Sequence, residues 1–140
     1  MKRNTVNKTA VLAASLLAVA GFSEMSHANI AGQTLAAGGT NIDVYDCNVP
    51  APGLSATLIS AAPVAANSTL QMVITKMPGG PGVSGTVSGA SAGNGVNRTL
   101  NQGAGFYKIV ISHNANNING YNLNSVPAGC TTAATRVINQ

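Results

Sequence analysis

The chain is patterned in short runs that alternate apolar and polar positions. The clearest lies in residues 103–126. In Gly105-Phe-Tyr-Lys-Ile-Val-Ile-Ser112, Tyr107, Ile109 and Ile111 share one face, with Phe106, Lys108 and Val110 on the other. A polar, Asn-rich run follows over 113–120. Tyr121 and Leu123 then alternate with Asn122 and Asn124. A period of two marks β-strands, and two such runs around a polar turn predict an antiparallel hairpin.

The same period recurs upstream. Asp43, Tyr45, Cys47 and Val49 share a face against Ile42, Val44 and Asp46, and Pro50-Ala-Pro-Gly53 stops that strand. Leu54, Ala56 and Leu58 point inward while Ser55 and Thr57 point outward. Leu70, Met72 and Ile74 form the next apolar face. Weaker strands are expected over 83–88 and 96–100 around a small-residue loop, and a short edge strand over 33–36. Residues 131–140 show no clear pattern and are expected to be loosely ordered. The Ala-rich stretches carry no 3.6-residue stripe. Seven or eight short strands spaced by Gly, Pro and Asn turns predict an all-β fold, an antiparallel jelly-roll or Greek-key-like β-sandwich.

The first 28 residues read differently. Lys2, Arg3 and Lys8 precede the apolar run Ala10-Val-Leu-Ala-Ala-Ser-Leu-Leu-Ala-Val-Ala20, and Ser26-His27-Ala28 places small residues at −3 and −1 of a cleavage site. The run is short for a membrane span. Residues 1–28 are therefore expected to be a signal peptide and 29–140 a single exported domain, periplasmic or secreted, with no membrane insertion after cleavage. That cut changes the charge. The whole chain carries a formal +4, but residues 29–140 hold Lys76, Arg98, Lys108 and Arg136 against Asp43 and Asp46, a net +2. Four scattered basic residues give no phosphate-tracking patch, so no nucleic-acid partner is expected.

Cys47 and Cys130 are the only cysteines. In an oxidising compartment a lone pair is most simply a structural disulfide. A metal pair lacks C-x-x-C spacing and further ligands, and a catalytic thiol has no marker. If the two cysteines pair, the second strand lies beside the end of the last.

Five segments together resemble a known family: Asp43-Val-Tyr45, Leu54-Ser-Ala-Thr-Leu58, Leu70-Gln-Met-Val-Ile74, Gly105-Phe-Tyr-Lys-Ile-Val-Ile111 and Gly120-Tyr-Asn-Leu123. Across residues 40–126 they are similar to the bacterial pre-peptidase C-terminal domain, with its early Asp-x-Tyr strand and closing Tyr-x-Leu strand. The resemblance implies a jelly-roll-like sandwich that accompanies secreted enzymes. No attached enzyme is expected here, and the acidic residues that calcium-binding relatives use are lacking.

The inventory for chemistry is thin. Gly89-Ala-Ser91-Ala-Gly93 matches G-x-S-x-G, but no Asp or Glu follows Ser91. Gly80-Pro-Gly82-Val-Ser-Gly85 matches G-x-G-x-x-G without a helix start or a later acid. Asp43 and Asp46, three apart on a strand, point to opposite faces and make no acid/base pair. They read as strand-end solvation or an ion pair with a lysine. Asp43 is the one starting point for a weak calcium site, which would need carbonyls for the rest. No catalytic residue, metal or cofactor is expected, and the protein is read as not an enzyme. His113, Asn114, Asn116 and Asn117 are the candidate loop contacts, with His113 expected to be a solvated turn residue. The function that fits is an accessory or binding module that recognises a protein or surface polymer through its loops. The alternative is a self-associating structural subunit of an extracellular assembly such as a pilus or matrix fibre.

Overall fold

The computed structural model describes residues 27–38, 41–89 and 91–137. Residues 1–26 of the expected signal peptide lie outside these, and the expected cut after Ala28 falls within the first strand. The described residues form nine strands and no helix, one or two strands more than the sequence pattern predicts. β1 (His27–Leu35), β8 (Asn119–Pro127), β3 (Leu54–Ala61) and β6 (Gly95–Leu100) make a four-stranded sheet in that order, sheet A. β5 (Gly82–Ser88), β4 (Thr69–Lys76), β7 (Gly105–His113), β2 (Asn41–Val49) and β9 (Cys130–Val137) make a five-stranded sheet B. Every pairing is antiparallel.

The core lies between the sheets, where the alternating faces meet. β3 contributes Leu54, Ala56 and Leu58, and β4 contributes Leu70, Met72 and Ile74. Tyr107, Ile109 and Ile111 of β7 and Tyr121, Leu123 and Val126 of β8 belong to the same buried cluster. β-Branched and aromatic side chains suit such a pleated, half-buried surface. Pro50 and Pro52 follow β2, where rings without an N–H end the ladder. The β4–β5 hairpin turns through Pro78 and Gly79, whose φ of 61° lies in the left-handed region.

Two sequence expectations are overturned. β7 and β8 are not a hairpin. β7 pairs with β2 and β4 in sheet B, β8 pairs with β1 and β3 in sheet A, and residues 114–118 cross between the layers. Alternation shows that each strand has one buried face. It does not show whether the next strand lies beside it or opposite, and here the two apolar faces oppose each other. The chain beyond Cys130 is also not loose through Val137. It forms β9, which pairs with β2 along its length. Its register sets Cys47 against Cys130, and the two form a disulfide with Cα atoms 3.9 Å apart. The short edge strand expected over 33–36 is longer and begins earlier, as β1.

Every connection except β4–β5 passes from one sheet to the other. The registers place β1–β2, β3–β4, β5–β6 and β7–β8 at one end of the sandwich. At one side the edges of the two layers meet, where Arg98 Nε of β6 donates to Ser84 O of β5 at 2.6 Å.

Candidate functional site

The four-loop end is where the polar chemistry collects. All five buried polar or charged residues among those described, Asp43, Ser60, Ser68, His113 and Asn119, sit at this end. The opposite end buries none of them. An apolar core needs no such groups, and each one buried requires a hydrogen bond to offset its lost hydration.

The bonds run from loop to loop. Asn119 Nδ2 donates to Ser68 Oγ at 2.7 Å, and Ser68 Oγ donates to Ala65 O at 2.8 Å. Ser68 spends its only proton on that carbonyl, so it must accept from Asn119, which fixes the orientation of the amide. Gly89 N donates to Ser68 O, Gly120 N to Pro63 O, and Ser60 N to Asn94 O. Asn114 Oδ1 accepts from Thr69 N at 2.7 Å. His113 Nε2 lies 3.0 Å from Ala36 O, tying β1–β2 to β7. Together these bonds brace all four loops. Gly89 is held where a Cβ would lie 2.2 Å from Ser68 Oγ and 2.4 Å from Asn119 Nδ2, so only glycine fits.

His113 is therefore not a solvated turn residue. It is the last residue of β7, and the period of two that buries Tyr107, Ile109 and Ile111 carries it inward as well. Because a carbonyl only accepts, Nε2 carries the proton toward Ala36, and Nδ1 is a bare lone pair with no hydrogen-bond partner among the described residues. Burial holds the imidazole below its ordinary pKa, outweighing the bond to Ala36 that favours the charged form. Asn119 Oδ1 likewise has no partner among the described residues.

Beneath the loops a second polar group spans the layers. Tyr121 Oη donates to Asp43 Oδ2 at 2.6 Å, and the Tyr45 hydroxyl lies 2.5 Å from that of Tyr121. Burial raises both phenols above their ordinary pKa, and for Tyr121 the bond to Asp43 adds to it. Asp43 is thus buried, not solvated at a strand end. Asp46 instead pairs with Lys108 at 2.6 Å on the outer face of sheet B. That pair is well exposed and contributes little to stability.

The described loop residues above this scaffold carry no charge. Asn114, Asn116, Asn117 and Ile118 are exposed, and Ile118, at 50 % exposure, is one of three large apolar side chains left open to solvent among the described residues. A cavity of about 230 Å³ opens on the outer face of sheet B beside the loop, lined by Thr69, Gln71, Thr86, Ser112, His113 and Asn114. The structure thus brings His113 and Asn114 to one cavity and leaves Asn116 and Asn117 at the loop surface.

Ser91 lies exposed in the β5–β6 turn with strand β6 after it, and Gly82 and Gly85 lie within β5, so neither glycine motif opens a helix. Among the described residues no group of His, Cys, Asp or Glu is placed to hold a metal. No helix among them is long and apolar enough to cross a membrane. No protein-family model, curated protein or solved structure matches this chain.

Proposed function

We propose that this protein is an exported, non-enzymatic binding module that recognises a protein or surface polymer through its four-loop end. The observation that carries this reading is the bracing itself: four loops are cross-tied by polar side chains and backbone amides while Asn116, Asn117 and Ile118 are left facing outward. Rigid loops lose little entropy on binding, and an apolar anchor ringed by amides is a common form of contact surface. The disulfide and the N-terminal sequence support export to the periplasm or beyond.

We further read the strand order β1-β8-β3-β6 against β5-β4-β7-β2 as a jelly roll, with β9 added at the β2 edge. That reading agrees with the resemblance to the pre-peptidase C-terminal domain.

The test compares the mature protein with a variant carrying Asn116→Ala, Asn117→Ala and Ile118→Ala. Both are incubated with envelope fractions of the cells that make the protein. The wild type is retained and the variant is not, while their urea midpoints agree. Equal retention of both overturns the reading.

A structural subunit is the second reading, favoured by β1 and β9, which stand as edge strands of sheets A and B. Edges of this kind accept strands from other chains. Light scattering separates the two: a monomer supports the module, and ordered polymers support the subunit.

A further inference from the structure

A second cavity, of about 350 Å³, lies away from the four-loop end. It is built on the outer face of sheet A where β3, β6 and β8 run out. Its polar lining comes from Ser55, Asn97, Thr99 and Asn101; the exposed ring of Pro52 supplies an apolar wall, and the buried Pro127 closes it from below. None of the described residues that line it is charged. Its volume falls at the small end of the range for ligand sites, about 300–1,000 Å³.

The polar groups are held in place. Ser55 and Thr99 face each other across the β3–β6 ladder, with hydroxyls 3.0 Å apart. Asn97 Nδ2 donates to Thr57 Oγ1 at 2.7 Å, which fixes its amide and leaves the carbonyl oxygen as an acceptor. Two further lining positions have unusual backbones. Gly53 has φ of 146°, and a Cβ there would lie 2.3 Å from Leu100 O, so the turn is drawn tightly onto the end of β6. Ser125 has φ of 59°, which non-glycine residues seldom adopt, at the irregularity where β8 passes Asn29 of β1. Irregularities of this kind re-aim side chains beside sites, and left-handed non-glycine residues concentrate at them.

We propose that this groove binds a neutral carbohydrate. The lining chemistry selects that class. A phosphate or carboxylate ligand would call for a cation, and a metal ion for carboxylates; the described lining holds neither. Sugar hydroxyls both donate and accept, which matches amides and hydroxyls that do the same. The exposed Pro52 ring suits the C–H face of a sugar ring. With no aromatic platform and an open mouth, affinity is weak, with a Kd on the order of millimolar.

The experiment is an NMR titration of isotope-labelled mature protein with cellotriose, maltotriose and chitotriose, each separately. At least one gives saturable shifts confined to the amides of Gly53, Ser55, Asn97, Thr99, Asn101 and Ser125. Asn97→Ala and Asn101→Ala each weaken that binding by about tenfold, the loss of roughly one hydrogen bond. The spectra of both variants are otherwise unchanged, so a lost shift reports binding and not unfolding. No saturable shift with any of the three sugars, or shifts that map to Asn116 and Asn117, overturns the proposal. The four-loop end can fail its own test without affecting this outcome, because the groove shares no residue with it.

Discussion

Tyr45 and Tyr121 meet hydroxyl to hydroxyl across the two sheets, 2.5 Å apart, in a place neither shares with solvent. Tyr121 spends its one proton on Asp43, so Tyr45 donates and Tyr121 accepts. The order of donation makes the two tyrosines unequal. Tyr121→Phe removes a bond to a buried carboxylate and leaves the Tyr45 hydroxyl without its acceptor. It should destabilise by about 2–3 kcal/mol, whereas Tyr45→Phe removes one terminal donor and should cost about 1 kcal/mol. Urea unfolding of the two variants checks the order.

The same pair fixes an alkaline limit. Both phenols have folded pKa values raised above those of the unfolded chain. Their contribution is therefore fully present below about pH 10 and is lost as pH rises beyond it. Absorbance titration should show these two tyrosines ionising only together with loss of near-ultraviolet circular dichroism.

His113 sets the acid side. Its folded pKa lies below the unfolded value near 6.5, so the folded state disfavours the proton that the unfolded state takes up. Its contribution is present above about pH 6.5 and is lost as pH falls below it. The urea midpoint should drop between pH 7 and pH 5 in the wild type. In His113→Gln that slope should flatten, while the value at pH 7 is already lower for loss of the Ala36 bond.

The disulfide closes the chain from β2 to β9 over a separation of 83 residues. In the chain-entropy model a loop of that size contributes about 4–5 kcal/mol. Cys47→Ala with Cys130→Ala should lose most of that, and β9 amides should exchange first. The native protein should show no free thiol until it is unfolded and reduced.

Lys76 does at the opposite end what the buried polar residues do at the loops. Its ammonium donates to the carbonyls of Gln102, Gly103 and Ala104 and lies 5.4 Å from the centre of the Tyr107 ring. Tyr107 Oη donates to Gly103 O at 2.6 Å. Lys76→Met keeps the stem but leaves those carbonyls without this donor. It should cost about 2 kcal/mol, measured by urea unfolding, far more than an exposed lysine.

Much of this arrangement is written in a period of two. The parity of Tyr45, Cys47, Leu58, Met72 and Ile109 names the buried face of each strand, and the structure buries those residues. The same parity runs on from Ile111 to His113 and back from Tyr121 to Asn119. The inward placement of these two polar residues was thus legible, though their Asn-rich setting argued for a turn. Other features leave no such trace. Period two cannot tell a neighbour in the sheet from a strand in the facing layer, so β7 and β8 read as a hairpin. β9 has small and Thr residues where a buried strand would carry large apolar ones, and it is a strand because β2 offers it a ladder and a disulfide. The role of Lys76 leaves no local signal, because its three acceptors lie more than twenty residues away and only the fold brings them together.

The most direct test of the four-loop end as the contact surface is site-resolved photo-crosslinking in the exporting cell. A photo-reactive residue is placed at position 117, in the exposed β7–β8 loop, and in a second strain at position 102, at the opposite end. A discrete adduct from position 117 with none from position 102 is the expected result. Adducts from position 102 alone, or a ladder of self-adducts from both positions, would contradict it.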